Sequence, residues 1–172
     1  TTSPINVTYV YVTSASGCNS SSGQSVVVTV NPIPVLNSTL TPPAICSGAT
    51  FNYTATSVTS GATFSWTRAT VSGITPAGTS GSGNVSEVLT NTTTSPINVT
   101  YVYTTSANGC NNSPGQSVVV TVNPGPTLSS TLTPPSICSG TAFSYTPTSA
   151  TTGTTFTWTR ATVSGITPSG TS

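Results

Sequence analysis

The residues that could carry chemistry are few in this chain, and most recur at a fixed spacing. Its charged residues are Arg68, Arg160 and Glu87, and it contains no Lys, Asp, His or Met. One carboxylate without a histidine cannot supply an acid-base pair, a nucleophilic triad or a set of metal ligands. Two cations 92 positions apart do not form a basic patch for nucleic acid. We therefore expect no enzymatic activity, no metal or other cofactor and no nucleic-acid partner.

Arg68 and Glu87 are predicted to form a structural ion pair. Alternation along the sequence places Arg68 on the same face as Trp66, and Glu87 on the same face as Leu89. Both faces point toward the interior of a predicted sandwich or toward its rim. A guanidinium held there by a carboxylate would fix strand register more than it would raise stability. The alternative is two unrelated surface charges.

An internal repeat organises the chain. Residues 1–80 align with 93–172 at a constant offset of 92 without a gap, and 63 of the 80 pairs are identical. The stretches "NPIP" (31–34) and "NPGP" (123–126) mark stiff junctions, because paired prolines fix φ and remove N–H donors. We predict three parts: residues 1–32 as the C-terminal strands of a truncated repeat, 33–124 as a complete repeat, and 125–172 as the N-terminal strands of a truncated repeat.

Strand signals follow one another about every dozen residues within 33–124, and no segment has a helical period. Asn108-Gly109 is a typical tight hairpin turn. The pattern predicts an all-β fold of tandem, seven-stranded, antiparallel, immunoglobulin-like β-sandwich repeats of 92 residues. The predicted strands are Val35–Leu40, Thr50–Thr56, Thr63–Arg68, Thr70–Thr75, Asn84–Thr90, Asn98–Thr104 and Gln116–Val122.

Aromatic residues recur in phase along these strands. Phe64 and Trp66 alternate with polar residues, which favours a core tryptophan over one that stacks on a sugar at the surface. An exposed tryptophan would instead favour stacking on a sugar. The predicted core aromatics are Phe51, Tyr53, Phe64, Trp66, Tyr101, Tyr103 and Trp158.

Four cysteines share the offset of 92, Cys18 with Cys110 and Cys46 with Cys138. Regular cysteine spacing in a chain rich in Ser and Thr favours an oxidising, extracellular location. Cys46 lies in the first turn of a unit and Cys110 in its last turn, and a standard sandwich places these turns at opposite ends. We therefore favour a disulfide between Cys46 and the hairpin cysteine of the following unit, the counterpart of Cys18 in the next copy. A Cys46–Cys110 disulfide within one unit and free thiols are the alternatives.

Four stretches resemble a known family of repeats. They are "SEVLTNTTTSPINVTYVY" (86–103), "ANGC" (107–110), "ICSGTAFSYTPTSA" (137–150) and "FTWTRATVSGI" (156–166). They are similar to the PKD-like, immunoglobulin-like repeats found in tandem in large secreted surface proteins of Bacteroidetes-type bacteria, including adhesins of the gliding-motility type. Thr67, Arg68 and Ala69 follow Trp66, where the PKD pattern has an acidic turn. The resemblance implies a stalk or fibre module without catalytic residues.

Together these observations predict a structural repeat module of an extracellular bacterial surface fibre or adhesin stalk that could polymerise into a filament. Its partners would be copies of itself, joined as adjacent repeats or as subunits, by strand complementation or inter-repeat disulfides. Strand edges without protecting charges favour such assembly, and one continuous polypeptide of many repeats would have the same sequence pattern. No apolar run is long enough for membrane insertion. The alternatives are an adhesion module that binds surface glycans and a spacer domain of a secreted glycan-degrading enzyme.

Overall fold

The structure is a computed structural model that describes residues 1–20, 22–168 and 170, and these residues form β-strands and no helix. Val, Thr and Tyr dominate the longer strands because branched and aromatic side chains pack well on a pleated surface. In chain order the strands are β1 (Ile5–Tyr11), β2 (Ser14–Ala15), β3 (Cys18–Asn19), β4 (Gln24–Val30), β5 (Ile45–Cys46), β6 (Thr50–Tyr53), β7 (Thr63–Arg68), β8 (Ile74–Thr75), β9 (Thr79–Ser82), β10 (Val85–Val88), β11 (Thr90–Asn91), β12 (Ile97–Ala107), β13 (Cys110–Asn111) and β14 (Gln116–Asn123).

The largest sheet has the strand order β5-β14-β12-β7-β9, and β13 also pairs with β12. Its central strand, β12, is 11 residues long. It pairs with β14 on one side and with β7 on the other. Every pair is antiparallel except β5 with β14, which is parallel. Because side chains alternate between the two faces of a strand, Tyr101 and Tyr103 point to the same side of this sheet.

The remaining strands of 33–124 form two antiparallel pairs, β6 with β10 and β8 with β11. Phe51 and Tyr53 on β6 contact tyrosines on β12, with ring centroids 5.3 and 5.4 Å apart. The two layers therefore enclose one core, and the predicted β-sandwich is confirmed. The core residues are Leu36, Phe51, Tyr53, Ala55, Trp66, Ile74, Val85, Leu89, Val99, Tyr101, Tyr103, Val118, Val120 and Val122.

The predicted strand at Val35–Leu40 is wrong, because this segment crosses between the two layers. The Asn37 amide donates to the Thr56 carbonyl beyond β6, whereas the Leu40 carbonyl accepts from the Val119 amide on β14. A segment that bonds to both layers cannot continue a ladder with either one. The first strand of the unit is instead the two-residue β5.

The predicted strand at Thr70–Thr75 is reduced to its last two residues, β8. The Ile74 amide bonds to the Val71 carbonyl in a turn that precedes β8. Strand β9, which pairs with β7, was not predicted because its sequence "TSGS" contains no apolar residue. The other five predicted strands correspond to β6, β7, β10 with β11, β12, and β14.

The hairpin turn predicted at Asn108-Gly109 is confirmed. Asn108 has φ of 51° and Gly109 has φ of 78°, the left-handed conformation that both central residues of such a turn require. The turn joins β12 to β13, with Ala107 opposite Cys110.

The segments that flank 33–124 carry the repeated sequence without the same packing. Strands β1 and β4 pair in the register of β12 and β14, but all their residues are exposed. Within 125–168 and at residue 170 the structure contains no strand.

Candidate functional site

Arg68 is the centre of a polar cluster between the two layers, and its side chain is fully buried. Its Nε donates to Glu87 Oε2 at 3.0 Å and its Nη2 to Glu87 Oε1 at 2.5 Å. Nη2 also donates to the carbonyl oxygens of Pro76 and Ala77, at 3.2 and 2.8 Å. Strand β7 supplies the cation and β10 the anion, so this forked ion pair joins the two layers.

Tyr101 completes the cluster from β12. Its hydroxyl donates to Glu87 Oε2 at 2.6 Å, and the Arg68 guanidinium carbon lies 5.9 Å from the centre of its ring. Burial raises the pKa of Tyr101 well above its usual value, and the hydrogen bond to Glu87 and the charge of Glu87 add to the rise. Burial acts to lower the pKa of Arg68, but its hydrogen bonds and its attraction to Glu87 outweigh burial, so that pKa is raised.

The arrangement keeps Arg68 charged and Tyr101 neutral. Proton transfer requires a group that gains or loses a proton near the working pH, and these raised pKa values prevent that. A buried cation, its carboxylate partner and a hydroxyl donor instead define one register for β7, β10 and β12. Buried Arg68 Nη1 has no hydrogen-bond partner among the described residues. The structural role predicted for Arg68 and Glu87 is the one that this geometry can perform.

Aromatic side chains fill the interior around the cluster. Trp66 packs edge-on against Tyr101, with ring centroids 5.5 Å apart. The indole also packs on Gly81 of β9, where an added Cβ would lie 2.6 Å from it. Burial raises the pKa of Tyr103 to about 12, and the electrostatic effect of the nearby Tyr53 adds to the rise. The structure thus places the predicted core aromatics of 33–124 inside, with Phe64 half-buried at the edge of the core.

The prediction that Trp158 is a core residue is wrong, because its side chain is 65% exposed. Trp66 packs against Gly81 and Tyr101 on the neighbouring strands β9 and β12. No strand lies beside Trp158 in the described part of 125–172. The sequence around Trp158 repeats that around Trp66, so the difference in exposure arises from the neighbouring strands and not from the local sequence.

The four cysteines are free thiols in the structure, and three of them are exposed, while Cys110 is half-buried. Cys46 lies opposite Asn123 at one end of the larger sheet. Cys110 lies opposite Ala107 at the other end of β12. The structure does not bring Cys46 and Cys110 together, because ten residue steps of strand separate Ala107 from Ile97, a length of about 33 Å. A disulfide needs Cα atoms within about 7 Å.

The junctions between units carry the remaining polar contacts of interest. Asn31 Nδ2 donates to the Asn108 carbonyl at 2.9 Å, so the first proline-rich stretch contacts the hairpin turn of 33–124. At the second junction an open cavity of about 500 Å³ lies between the unit and the segment that follows it. Its walls are Thr94–Pro96, Asn123, Pro124, Pro126 and Thr151–Thr154.

Two buried amides were missed by the reasoning from sequence. Asn91 Nδ2 donates to the Val122 and Ser95 carbonyls, each at 2.8 Å. Asn112 Oδ1 accepts from the Thr105 amide at 2.6 Å. Both side chains satisfy backbone groups that the ladders leave open, which is how buried polar groups persist in a core. Asparagine is common throughout this chain, so composition could not single them out.

The two packed antiparallel layers of 33–124 define an immunoglobulin-like β-sandwich domain. Residues 43–126, which contain every strand from β5 to β14, match the family model described as the PKD-like domain. The match supports the resemblance predicted from the sequence and is consistent with a structural or adhesion module. Neither the curated proteins nor the solved structures gave a significant match.

Two further features of the described residues bear on function. They contain no helix long and apolar enough to cross a membrane. They also contain no group of three or more His, Cys, Asp or Glu side chains that could hold a metal ion.

Proposed function

We propose that this chain is a structural repeat module of an extracellular bacterial surface fibre or adhesin stalk. Sandwich units follow one another end to end, and the chain extends or links material at a cell surface. PKD-like domains are typically non-catalytic and commonly extracellular, which supports this role for residues 43–126. The cluster of Arg68, Glu87 and Tyr101 serves stability and register within each unit.

The observation that carries the proposal is that the first junction, residues 31–34, is fixed by burial and by hydrogen bonds. Asn31 donates to Asn108 at the end of the next unit. Pro34 is fully buried and Leu36 is 5% exposed. The Leu36 amide also donates to Gln116 Oε1 at 2.5 Å. A linker with Pro34 buried and with hydrogen bonds on both sides of its prolines restricts the angle between units, whereas a flexible tether would make neither contact.

The near absence of charge supports lateral contacts between units. Edge strands in soluble proteins are normally protected by Lys or other charges. The edge strands β5 and β9 of the larger sheet carry none. Units that stack end to end could therefore also associate side by side within a fibre.

Two routes lead from this unit to a fibre. In the first, one polypeptide carries many repeats. In the second, separate copies join by strand addition, with the exposed hairpin β1–β4 covering the exposed apolar residues of another copy, such as Phe143 and Trp158. Both routes use the same contact, because hairpin β12–β14 already covers the homologous residues Phe51 and Trp66.

The alternative of glycan binding receives less support from the complete unit. Sugar-stacking sites need exposed aromatic rings, and all six aromatic side chains of 33–124 are buried or half-buried. Adhesion through another surface remains compatible with the fold, as does a spacer role beside a catalytic domain.

Small-angle X-ray scattering and electron microscopy of the native protein test the proposal. We expect a rod whose length grows by about 36 Å for each repeat, the length of the 11-residue central strand. Replacing Pro32 and Pro34 with glycine should broaden the distribution of angles between units, while Pro134→Gly, away from the junction, should not. Units that rotate independently in the unmodified protein would contradict the proposal.

A further inference from the structure

The cysteines of the repeat lie at the two opposite ends of the sandwich unit. Strand β5 places Cys46 beside Asn123, at the end where the chain leaves the unit; we call this the lower end. Hairpin β12–β13 places Cys110 next to the Asn108 turn, at the other end, which we call the upper end. Each complete unit therefore presents one thiol downward and one thiol upward.

The repeat offset shows which ends meet at a junction. Asn31 is the counterpart of Asn123, because the two are 92 residues apart in the repeat. Asn31 Nδ2 donates to the Asn108 carbonyl at 2.9 Å, and Cys110 lies two residues after Asn108. The residue that marks the lower end of one unit thus contacts the turn that carries the upper thiol of the next.

The second junction, at residues 123–126, independently indicates that a lower end faces an upper end. The cavity between the units is lined by Asn123 from the lower end and by Thr151–Thr154 from the following segment. Residues 151–154 are the counterparts of 59–62. That turn precedes Thr63, which pairs with Ser106 at the upper end of β12. An upper end therefore faces the lower end that carries Cys46.

We propose that Cys46 forms a disulfide across the junction with the hairpin cysteine of the following unit, the counterpart of Cys110. This inference rests on the proposed function only in that the units continue in tandem. Cys46 is exposed on an edge strand and Cys110 is half-buried in an exposed hairpin, so both positions are reachable from the junction. The bond would fix the rotation of one unit on the next and convert a stack of sandwiches into a covalently stapled rod.

The reaction is thiol–disulfide exchange with an oxidised dithiol donor of the secretory compartment. One thiolate of the pair attacks the donor disulfide and forms a mixed disulfide, and the second thiolate then displaces the donor. Two cysteine thiols lose two electrons and two protons and become one disulfide. The donor disulfide gains them and becomes two thiols.

The test uses the full chain extended by its own repeat sequence. Adding the sequence of residues 81–124 after residue 172 completes the last unit at the natural offset of 92 and supplies a second hairpin cysteine in register. The extended chain then has five cysteines, of which only Cys46 faces a following hairpin cysteine. After oxidation with glutathione disulfide, we expect three free thiols and one disulfide, mapped by mass spectrometry of non-reduced peptides.

Matched variants separate this pairing from others. Cys46→Ser should abolish the disulfide, whereas Cys138→Ser, the same position in the next unit, should leave it intact because no unit follows. Five free thiols after oxidation would overturn the proposal, and so would a peptide that links Cys46 to Cys110.

Scattering on the same proteins distinguishes failure of this inference from failure of the proposed function. A rod with five free thiols would refute the staple and leave the stalk standing. Independently rotating units in the oxidised chain would refute the stalk as well.

Discussion

Hairpins β1–β4 and β12–β14 have nearly the same sequence in two different environments. Residues 1–32 and 93–124 differ at only four of their 32 positions, and the longer strands pair in the same register. Yet Tyr9 is 52% exposed, whereas its counterpart Tyr101 is fully buried. The hairpin therefore encodes its own strand pairing, while burial of its apolar face requires the 33–92 segment that packs on β12–β14.

Segments 33–80 and 125–168 share a side-chain contact, although only the first of them forms strands. Ser130 Oγ lies 2.7 Å from Tyr145 Oη, as Ser38 Oγ lies 2.8 Å from Tyr53 Oη. A hydrogen bond between residues 15 positions apart thus forms in 125–168, although its ladders do not. The ladders of β6 and β7 need β10 and β12, and these strands have no counterpart in the described part of 125–172.

The largest contrast should be in amide hydrogen exchange. Exchange in β12 and β14 requires opening of the packed sandwich, whereas an isolated two-stranded hairpin is marginally stable in water. We expect amides of β1 and β4 to exchange at least about 1,000-fold faster than their counterparts in β12 and β14. Mass spectrometry of the full chain measures both hairpins in one sample. Equal protection would show that the β1–β4 face is covered, for instance by a second copy.

Paired substitutions at the equivalent tyrosines come next. Tyr101→Ala should lower the free energy of unfolding by about 3–5 kcal/mol, because it leaves a cavity in the core. Tyr9→Ala, the same change on the exposed face, should cost less than about 1 kcal/mol. Urea denaturation followed by circular dichroism measures both. A large loss for Tyr9→Ala would mean that β1–β4 is packed against a partner in solution.

Removing the anion of the buried pair should have a slightly smaller effect. Glu87→Gln leaves Arg68 buried without its carboxylate and should cost about 3 kcal/mol. The double variant Arg68→Met with Glu87→Leu should recover most of this loss, because it leaves no unpaired charge. Urea denaturation of the unmodified protein, Glu87→Gln and the double variant measures these differences. A double variant as unstable as Glu87→Gln would indicate that the Arg68–Glu87 ion pair itself contributes the stability.

Alkaline pH should lower the stability of the sandwich through the buried Tyr103. The folded pKa of Tyr103 is about 12, and the unfolded value is about 10. The contribution of Tyr103 to stability is therefore complete below pH 10 and is lost as the pH rises toward 12, at about 1.4 kcal/mol per pH unit. Thermal unfolding between pH 9 and 11.5 should show a shallower decline for Tyr103→Phe than for the unmodified protein, and an equal decline in the two proteins would contradict the prediction.

The turn of the hairpin should give the smallest effect. Asn108 and Ser16 occupy equivalent positions, and both have φ of 51°. Asparagine tolerates the left-handed conformation better than serine, so Asn108→Ser should cost less than about 1 kcal/mol. The reciprocal Ser16→Asn should leave the unfolding of 33–124 unchanged. Differential scanning calorimetry of both variants provides the measurement, and a loss well above this value for Asn108→Ser would contradict the expectation.

Much of the fold was predictable because the relevant information is local. Alternation identified the inward faces of β6, β7, β12 and β14, and Asn108-Gly109 identified the hairpin turn. Strand β9 was missed because its stability comes from pairing with β7 and from the fit of Gly81 against Trp66, not from its own composition. The pairing of β5 and the crossing at Val35–Leu40 likewise depend on distant strands.

The sequence by itself determined the repeat, the strand faces and the inward direction of Arg68. Tertiary structure decided which copy of each pattern is buried, so that Trp66 is in a core and Trp158 is in solvent. It also decided that Arg68 bonds Glu87 together with two carbonyls, and that Cys46 and Cys110 lie at opposite ends. The physical reason is that alternation and turns are encoded by neighbouring residues, whereas burial and buried polar contacts exist only where a distant segment supplies the other surface.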